Sequence, residues 1–175
     1  MPIVKFSDRE IVIALVAPLG CPVEDTIAAF GSAFSRHGFE SQLLRISDLL
    51  DREVDSSKVL AGESRVELLM NKGDYFRFLY DSDGACSFMA AQAILLERER
   101  ATGNAERHRD HFVTIIRSLK TPGEVSVLRQ IYGSRVIVVG VNASPDRRQR
   151  ELVRQLKPSL GRARALAQAS ALMER

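Results

Sequence analysis

The chain has 175 residues, of which 45% are apolar and 27% charged, with a formal net charge of +3 and two cysteines. This length suits one domain with a single core; the composition excludes a wholly disordered chain, and two distant cysteines exclude a disulfide framework. The sequence shows no signal-peptide pattern and no apolar run long enough to cross a membrane, so we expect a soluble protein in the reducing cytoplasm.

Strands and helices alternate along the chain. In chain order the sequence predicts a strand at 10–17, a helix at 23–37, a strand at 39–46, a short helix or turn from residue 47, a polar loop at 51–61, and helices at 64–80 and 86–102. After an arginine-rich polar stretch to residue 110 come a strand at 112–116, a helix at 121–132, a strand at 135–141 and a C-terminal helical region broken near 158–161.

This alternation predicts an α/β fold, a mostly parallel sheet with helices on both faces in three layers. We expect residues 1–150 to form the domain and residues 151–175 a C-terminal helical extension. Ligands bind such sheets beyond the carboxyl ends of the strands. The segments at 17–25, 117–124 and 142–150 are therefore the candidate ligand-binding regions.

The turn after the first strand lies where a phosphate-binding loop would lie. The working form of that loop, G-x-x-x-x-G-K-[ST], places a lysine against the outer phosphates. If Ala17 stands for its first glycine, Val23 falls at the lysine position and Glu24 at the hydroxyl position. If Gly20 stands for its second glycine, those positions hold Cys21 and Pro22. Neither alignment supplies the lysine.

Two interpretations of this turn remain open. Backbone N–H groups and the helix dipole could hold an anion without a lysine. Against this, Pro18 and Pro22 each remove a donor, and Glu24 and Asp25 place negative charge where phosphate would lie. The alternative is a tight strand-to-helix turn that binds no ligand.

Four basic residues follow the later buried strands. Arg117 and Lys120 come after the strand at 112–116, and Arg147 and Arg148 after the strand at 135–141. Cations at this edge can pair with phosphate, although ordinary surface charge explains them equally well.

The remaining reactive side chains give weaker signals. Cys21 lies at a helix start, which can activate a thiol, but no base neighbours it in sequence, so an inert thiol is the better interpretation. His108 and His111 form H-x-x-H without further ligands at metal spacing, and we predict no metal site.

Several stretches resemble one family, the N-terminal P-loop kinase-like domain of bacterial anti-phage deoxycytidylate (dCTP) deaminases. The resemblance rests on IVIALVAPLG at 11–20, GDYFR at 73–77 and above all IIRSLKTPGEVSVLRQIYG at 115–133, followed in order by the strand at 135–140 and SPDRR at 144–148. Deoxynucleoside monophosphate kinases, a wider group, show similar strand–turn–helix blocks with a Pro-x-Glu pattern.

The resemblance implies a P-loop kinase-like sandwich and a nucleotide site. By its pattern the loop is formed by Ala17, Pro18, Leu19, Gly20 and Cys21, extending to Pro22. The phosphate contacts implied are Arg77, Arg117, Lys120, Arg147 and Arg148. The implied ligand is ATP or a deoxynucleoside triphosphate with Mg²⁺, and the catalytic residues stay unknown.

The zinc residues of a deaminase are missing from this chain. No histidine begins H-x-E, and the two cysteines cannot form P-C-x-x-C. By resemblance the chain is a regulatory domain that acts with a deaminase on another chain or as a homo-oligomer. The alternatives are an active nucleotide kinase that takes its lysine from elsewhere, for example Lys120, and a non-catalytic interaction module that uses the arginine-rich C-terminal helices. The arginines would also allow RNA as a partner, without specific support.

Overall fold

The computed structural model describes residues 10–175 of the chain. The strands are β1 (Ile11–Val16), β2 (Glu40–Arg45), β3 (Phe112–Leu119) and β4 (Val136–Gly140). The α-helices are α1 (Glu24–Arg36), α2 (Ile46–Glu53), α3 (Arg65–Leu79), α4 (Ala85–Thr102), α5 (Pro122–Tyr132), α6 (Pro145–Leu160) and α7 (Arg162–Glu174). Short 3₁₀ helices cover Ser56–Lys58 and Gly133–Arg135.

The four strands form one parallel sheet in the order β2-β3-β1-β4. β1 lies in the interior, so that Ile13 is opposite Ile115 of β3 on one side and Ile137 of β4 on the other. An interior parallel strand has both faces covered, which explains why residues 12–15 are uniformly apolar and buried. The predicted α/β class with a parallel sheet is confirmed.

Alternate residues of the strands feed two separate cores. Val12 and Ala14 of β1 face one side, where α2, α4 and α5 pack on the sheet. Ile13 and Leu15 face the other side and contact the apolar stripe of α1, which includes Phe30. Successive side chains of a strand point to opposite faces, so these apolar strands bind helices on both faces and give three layers.

Two local features differ from the sequence-based expectation. β3 continues to Leu119, so Arg117 lies within the strand instead of after it. α2 occupies Ile46–Glu53, because its buried face packs on the core, and takes the first residues of the predicted loop. The predicted break near 158–161 is found at Gly161, whose φ of +74° a glycine adopts readily, whereas Pro158 lies inside α6. The boundary expected between residues 150 and 151 lies inside α6.

α6 and α7 form a hairpin with its own apolar cluster, which includes Leu152 and Leu172 and contacts Met70 of α3. α7 runs in the same direction as α3. Three polar contacts show this, each between residues 101 positions apart: Glu63 with Arg164, Glu67 with Gln168, and Asp74 with Arg175. The hairpin is thereby held beside the carboxyl edge of the sheet, where ligand-binding sites of such folds lie.

Candidate functional site

A cavity of about 740 Å³ opens at the carboxyl edge of the sheet. It lies between the loop after β1, the ends of β2 and β3, helix α3 and the α6–α7 hairpin. Its cationic lining residues are Arg45, Arg77, Arg117, Lys120, Arg148 and Arg175. Among the described residues, Asp74 is the one carboxylate that lines it. The cavity is therefore strongly cationic, and its size is ordinary for a small-molecule site.

The loop after β1 forms one wall of this cavity, but its geometry is that of a tight turn. The Cys21 N–H donates to the Pro18 carbonyl at 3.1 Å, which closes the turn. Ala17, Cys21 and Val23 are buried in a small apolar cluster. The Cys21 amide is thus already used inside the turn and does not point a free donor at a ligand.

Gly20 is required here for a reason other than phosphate approach. Its φ is +77°, and a Cβ atom at this position would lie 2.5 Å from the backbone carbonyl oxygen of Arg148. The first turn of α6 therefore covers the loop directly. The predicted loop residues from Ala17 to Cys21 do line the cavity, but α6 occupies the space beside Gly20.

Glu24 forms an ion pair with Arg117, which lines the cavity. Glu24 begins α1, and Arg117 lies in β3 beside Arg45 of β2 in the strand register. The negative charge of Glu24, which disfavours phosphate binding at this loop, is therefore paired with the positive charge of Arg117. Both side chains remain partly exposed, so an incoming anion can compete for Arg117.

Lys120 reaches into the cavity from the segment between β3 and α5. Its Nζ donates to the Ala17 carbonyl oxygen at 3.1 Å, and the side chain keeps access to solvent within the cavity. Burial lowers the pKa of Lys120 below its usual 10.5; Glu124 opposes this effect, and Arg117 and Arg77 add to it. The two arginines are therefore close enough to repel the ammonium group.

Arg77 is held by a buried carboxylate. Its Nη2 donates to Glu124 Oε1 at 2.8 Å, and Glu124 is fully buried. The other oxygen, Oε2, accepts from the backbone N–H groups of Lys120 at 2.6 Å and Thr121 at 3.3 Å. One carboxylate thus caps α5 and also fixes Arg77 and the segment carrying Lys120.

The structure brings most of the predicted phosphate-contacting residues together at one cavity, but not all of them. Arg77, Arg117, Lys120 and Arg148 line the same cavity. Arg147 is exposed and does not line it, because it lies on the outer face of α6. Sequence reasoning missed Arg45, although its place at the end of β2 is the same signal that pointed to the residues after β3.

The cysteines and histidines play no visible part in this site. The Cys21 thiol donates to the Val141 carbonyl oxygen at 3.5 Å, and burial raises the pKa of Cys86 to about 12. His108 lies against Arg135, whereas His111 packs against Phe39 with the two rings tilted by 59°. Residues 10–175 contain no group of three or more metal-ligating side chains.

No protein-family model matches the chain, and no curated protein matches it. Within residues 10–175, no helix has the length and apolar character needed to cross a membrane. The cavity and the residues that line it are therefore the features that bear on function.

Proposed function

We propose that this chain binds the phosphate groups of a nucleotide in the cavity at the carboxyl edge of the sheet. The observation that carries the proposal is that Arg77 from α3 meets Arg117 and Lys120, from the end of β3 and just beyond it, at one cavity. Like charges repel at short range, and an anion between them removes that repulsion while accepting charge-assisted hydrogen bonds.

The rest of the cavity suits the remainder of a nucleotide. The lining also includes apolar side chains, namely Val66, Leu69 and Met70 from α3 and Leu172 and Met173 from α7. Apolar walls with a few convergent polar groups are typical of small-molecule sites. We place the phosphates at the ends of β2 and β3, and the sugar and base toward α3 and α7. Mg²⁺, if the ligand is a triphosphate, would enter on the phosphate oxygens.

We further propose a regulatory role for this binding. The loop after β1 is a closed turn without a lysine, which argues against ordinary phosphoryl transfer from that loop. By its resemblance to the kinase-like domain of anti-phage deoxycytidylate deaminases, the chain would report nucleotide levels to a deaminase domain on another chain. Both cysteines are free and buried, which supports the cytoplasmic location that we propose.

Calorimetric titration with a panel of ribo- and deoxynucleotides tests the proposal. Arg117→Ala should weaken binding by about 1–3 kcal/mol because a charge-assisted contact is lost. Arg36→Ala is the matched control, since Arg36 is an exposed arginine in the last turn of α1 and does not line the cavity. Absence of binding by every nucleotide would overturn the proposal and favour a pure interaction module.

A second candidate function, a working nucleotide kinase, is favoured by the position of Lys120. Its Nζ lies against the Ala17 carbonyl, beside the loop that lacks its own lysine. A lysine there could neutralise charge on a phosphoryl group passing from ATP to a nucleotide acceptor. Incubation with labelled ATP and deoxynucleoside monophosphates separates the candidates: turnover that Lys120→Met abolishes supports a kinase, and tight binding without turnover supports the regulatory domain.

A further inference from the structure

One carboxylate side chain accompanies the cations of the cavity, and folding stability does not account for it. Among residues 10–175 this group is Asp74 of α3, whose side chain is 61% exposed. Its ion pairs contribute little to stability, because exposed pairs are weak. A negative charge beside bound phosphate would also weaken binding by Coulomb repulsion. Asp74 is therefore suited to a part of the ligand other than the phosphates.

The order of the cavity-lining residues along α3 matches the order of parts in a nucleotide. Apolar side chains come first, at positions 66, 69 and 70, then Asp74, and Arg77 comes last. The Arg77 guanidinium lies 3.4 Å from Asp74 Oδ1, so a phosphate held by Arg77 brings the attached sugar close to Asp74. A helix rises about 1.5 Å per residue, which places the apolar positions about 6–12 Å farther along the axis, where the base would lie.

Both carboxylate oxygens of Asp74 face guanidinium groups and keep room for further donors. Oδ1 accepts from Arg77 Nη1 at 3.4 Å, and Oδ2 accepts from Arg175 Nη2 at 2.7 Å. An ionised carboxylate has about four acceptor positions, so each oxygen can accept one more hydrogen bond. The two arginines would repel Mg²⁺ from this carboxylate, whereas a neutral hydroxyl group can donate to it. Sugar hydroxyls, which lie nearer to the phosphates than the donors of a base, therefore fit Asp74.

We propose that Asp74 selects ribonucleotides by accepting hydrogen bonds from the two neighbouring hydroxyl groups of a ribose. The two oxygens of one carboxylate can accept from the 2′ and 3′ hydroxyls together, whereas a 2′-deoxyribose offers only the 3′ hydroxyl. Acidic side chains bind ribose hydroxyls in this way in dinucleotide-binding folds. This inference rests on the nucleotide site proposed above, and it narrows the ligand of that site to nucleotides with a ribose.

The position of Asp74 sets the size of the expected preference. Asp74 and Arg175 line both the cavity and an adjoining groove, so the pair lies where the two meet. A 2′-deoxynucleotide would leave this carboxylate in contact with water, and a lost donor costs less there than at a buried acceptor. We expect a ribonucleotide to bind about 10-fold more tightly than the 2′-deoxynucleotide with the same base and the same number of phosphates.

Calorimetric titration with two matched pairs, ATP with dATP and CTP with dCTP, measures the preference. Asp74→Ala should lower it from about 10-fold to less than about 2-fold. Loss of a negative charge near the phosphates acts equally on both members of a pair, so the ratio of their dissociation constants reports the hydroxyl contact. Glu63→Gln is the matched control and should keep the ratio of the parent. Glu63 is 63% exposed and also pairs with an arginine of α7, Arg164, but it does not line the cavity.

Three results would overturn the inference while leaving the nucleotide site in place. They are equal affinities of the parent for the two members of each pair, a ribose preference that persists in Asp74→Ala, and a loss in Asp74→Ala that is equal for both members and requires Mg²⁺. The last result would show that the carboxylate binds the metal ion. Absence of binding by all four nucleotides would instead remove the nucleotide site, and this inference with it. Circular dichroism confirms that the variants are folded.

Discussion

The Lys120 ammonium group donates a hydrogen bond of 3.1 Å to the carbonyl oxygen of Ala17, 103 residues earlier in the chain. This contact links the segment after β3 to the loop after β1. It places a cation beside a loop whose own sequence has none. The contact also leaves the ammonium open to the cavity, so Lys120 is the residue most directly tied to ligand binding.

Replacing Lys120 should change binding and stability in opposite directions. Lys120→Met should weaken nucleotide binding about 10- to 100-fold, as expected for loss of a hydrogen bond to a charged group. The same variant should be more stable than the parent at pH 7, because the lowered pKa of Lys120 means that the folded chain binds the proton less tightly than the unfolded chain does.

The stability difference between Lys120→Met and the parent should change with pH in one direction. The unfolded chain holds more protons between the lowered folded pKa of Lys120 and the usual value of 10.5, so the parent gains stability as pH rises through that window. The advantage of Lys120→Met should therefore shrink above neutral pH. Urea unfolding of both proteins across alkaline pH measures this change, and Lys58→Met, at a lysine that does not line the cavity, is the control.

Removing the carboxylate that competes for Arg117 should strengthen binding. Glu24→Gln frees Arg117 for phosphate, and since exposed ion pairs are worth about 0.2–1 kcal/mol, the gain should be at most about fivefold. Asp25→Asn removes the same charge from the same helix turn without an ion pair to Arg117. Equal effects of the two variants in calorimetry would show that the Glu24–Arg117 pair does not compete with the ligand.

Glu124 should be the most sensitive carboxylate for folding. Glu124→Gln removes the buried carboxylate that pairs with Arg77 and leaves it only the exposed Asp74, at 3.4 Å, so we expect a loss of about 3–5 kcal/mol in the free energy of unfolding. Glu97→Gln, which breaks an exposed i, i+3 pair with Arg100, should cost less than about 1 kcal/mol. Urea denaturation compares the two, and similar losses would contradict the role assigned to Glu124.

Gly20 and Gly38 have nearly the same φ, so alanine substitutions at these two positions distinguish backbone strain from a steric clash. Gly38 has φ of +76° with nothing within 4 Å of a Cβ, so Gly38→Ala should cost about 1–2 kcal/mol from its left-handed conformation alone. Gly20→Ala should cost about 1–3 kcal/mol more, because its Cβ would meet the Arg148 carbonyl oxygen. Thermal unfolding measures the difference, and equal losses would show that α6 moves away freely.

Much of the fold follows from local patterns in the sequence. Unbroken apolar runs predicted the buried strands, and the alternation of these strands with helices predicted a parallel sheet. The candidate site followed in part, since residues at strand ends in a parallel sheet meet at one edge. Arg117 and Lys120 were found in this way, but Arg45 was overlooked and Arg147 was placed in a site that it does not line.

The sequence by itself determined where strands and helices form, because periodicity and helix-start signals act over a few residues. Only the tertiary structure decided which charges meet. Arg77 and Glu124 are 47 residues apart, and Arg98 and Glu10, both buried, are 88 apart. Likewise the covering of Gly20 by α6 depends on how the hairpin packs beside α3. Such contacts follow from strand order and helix packing, and local sequence patterns encode neither of these.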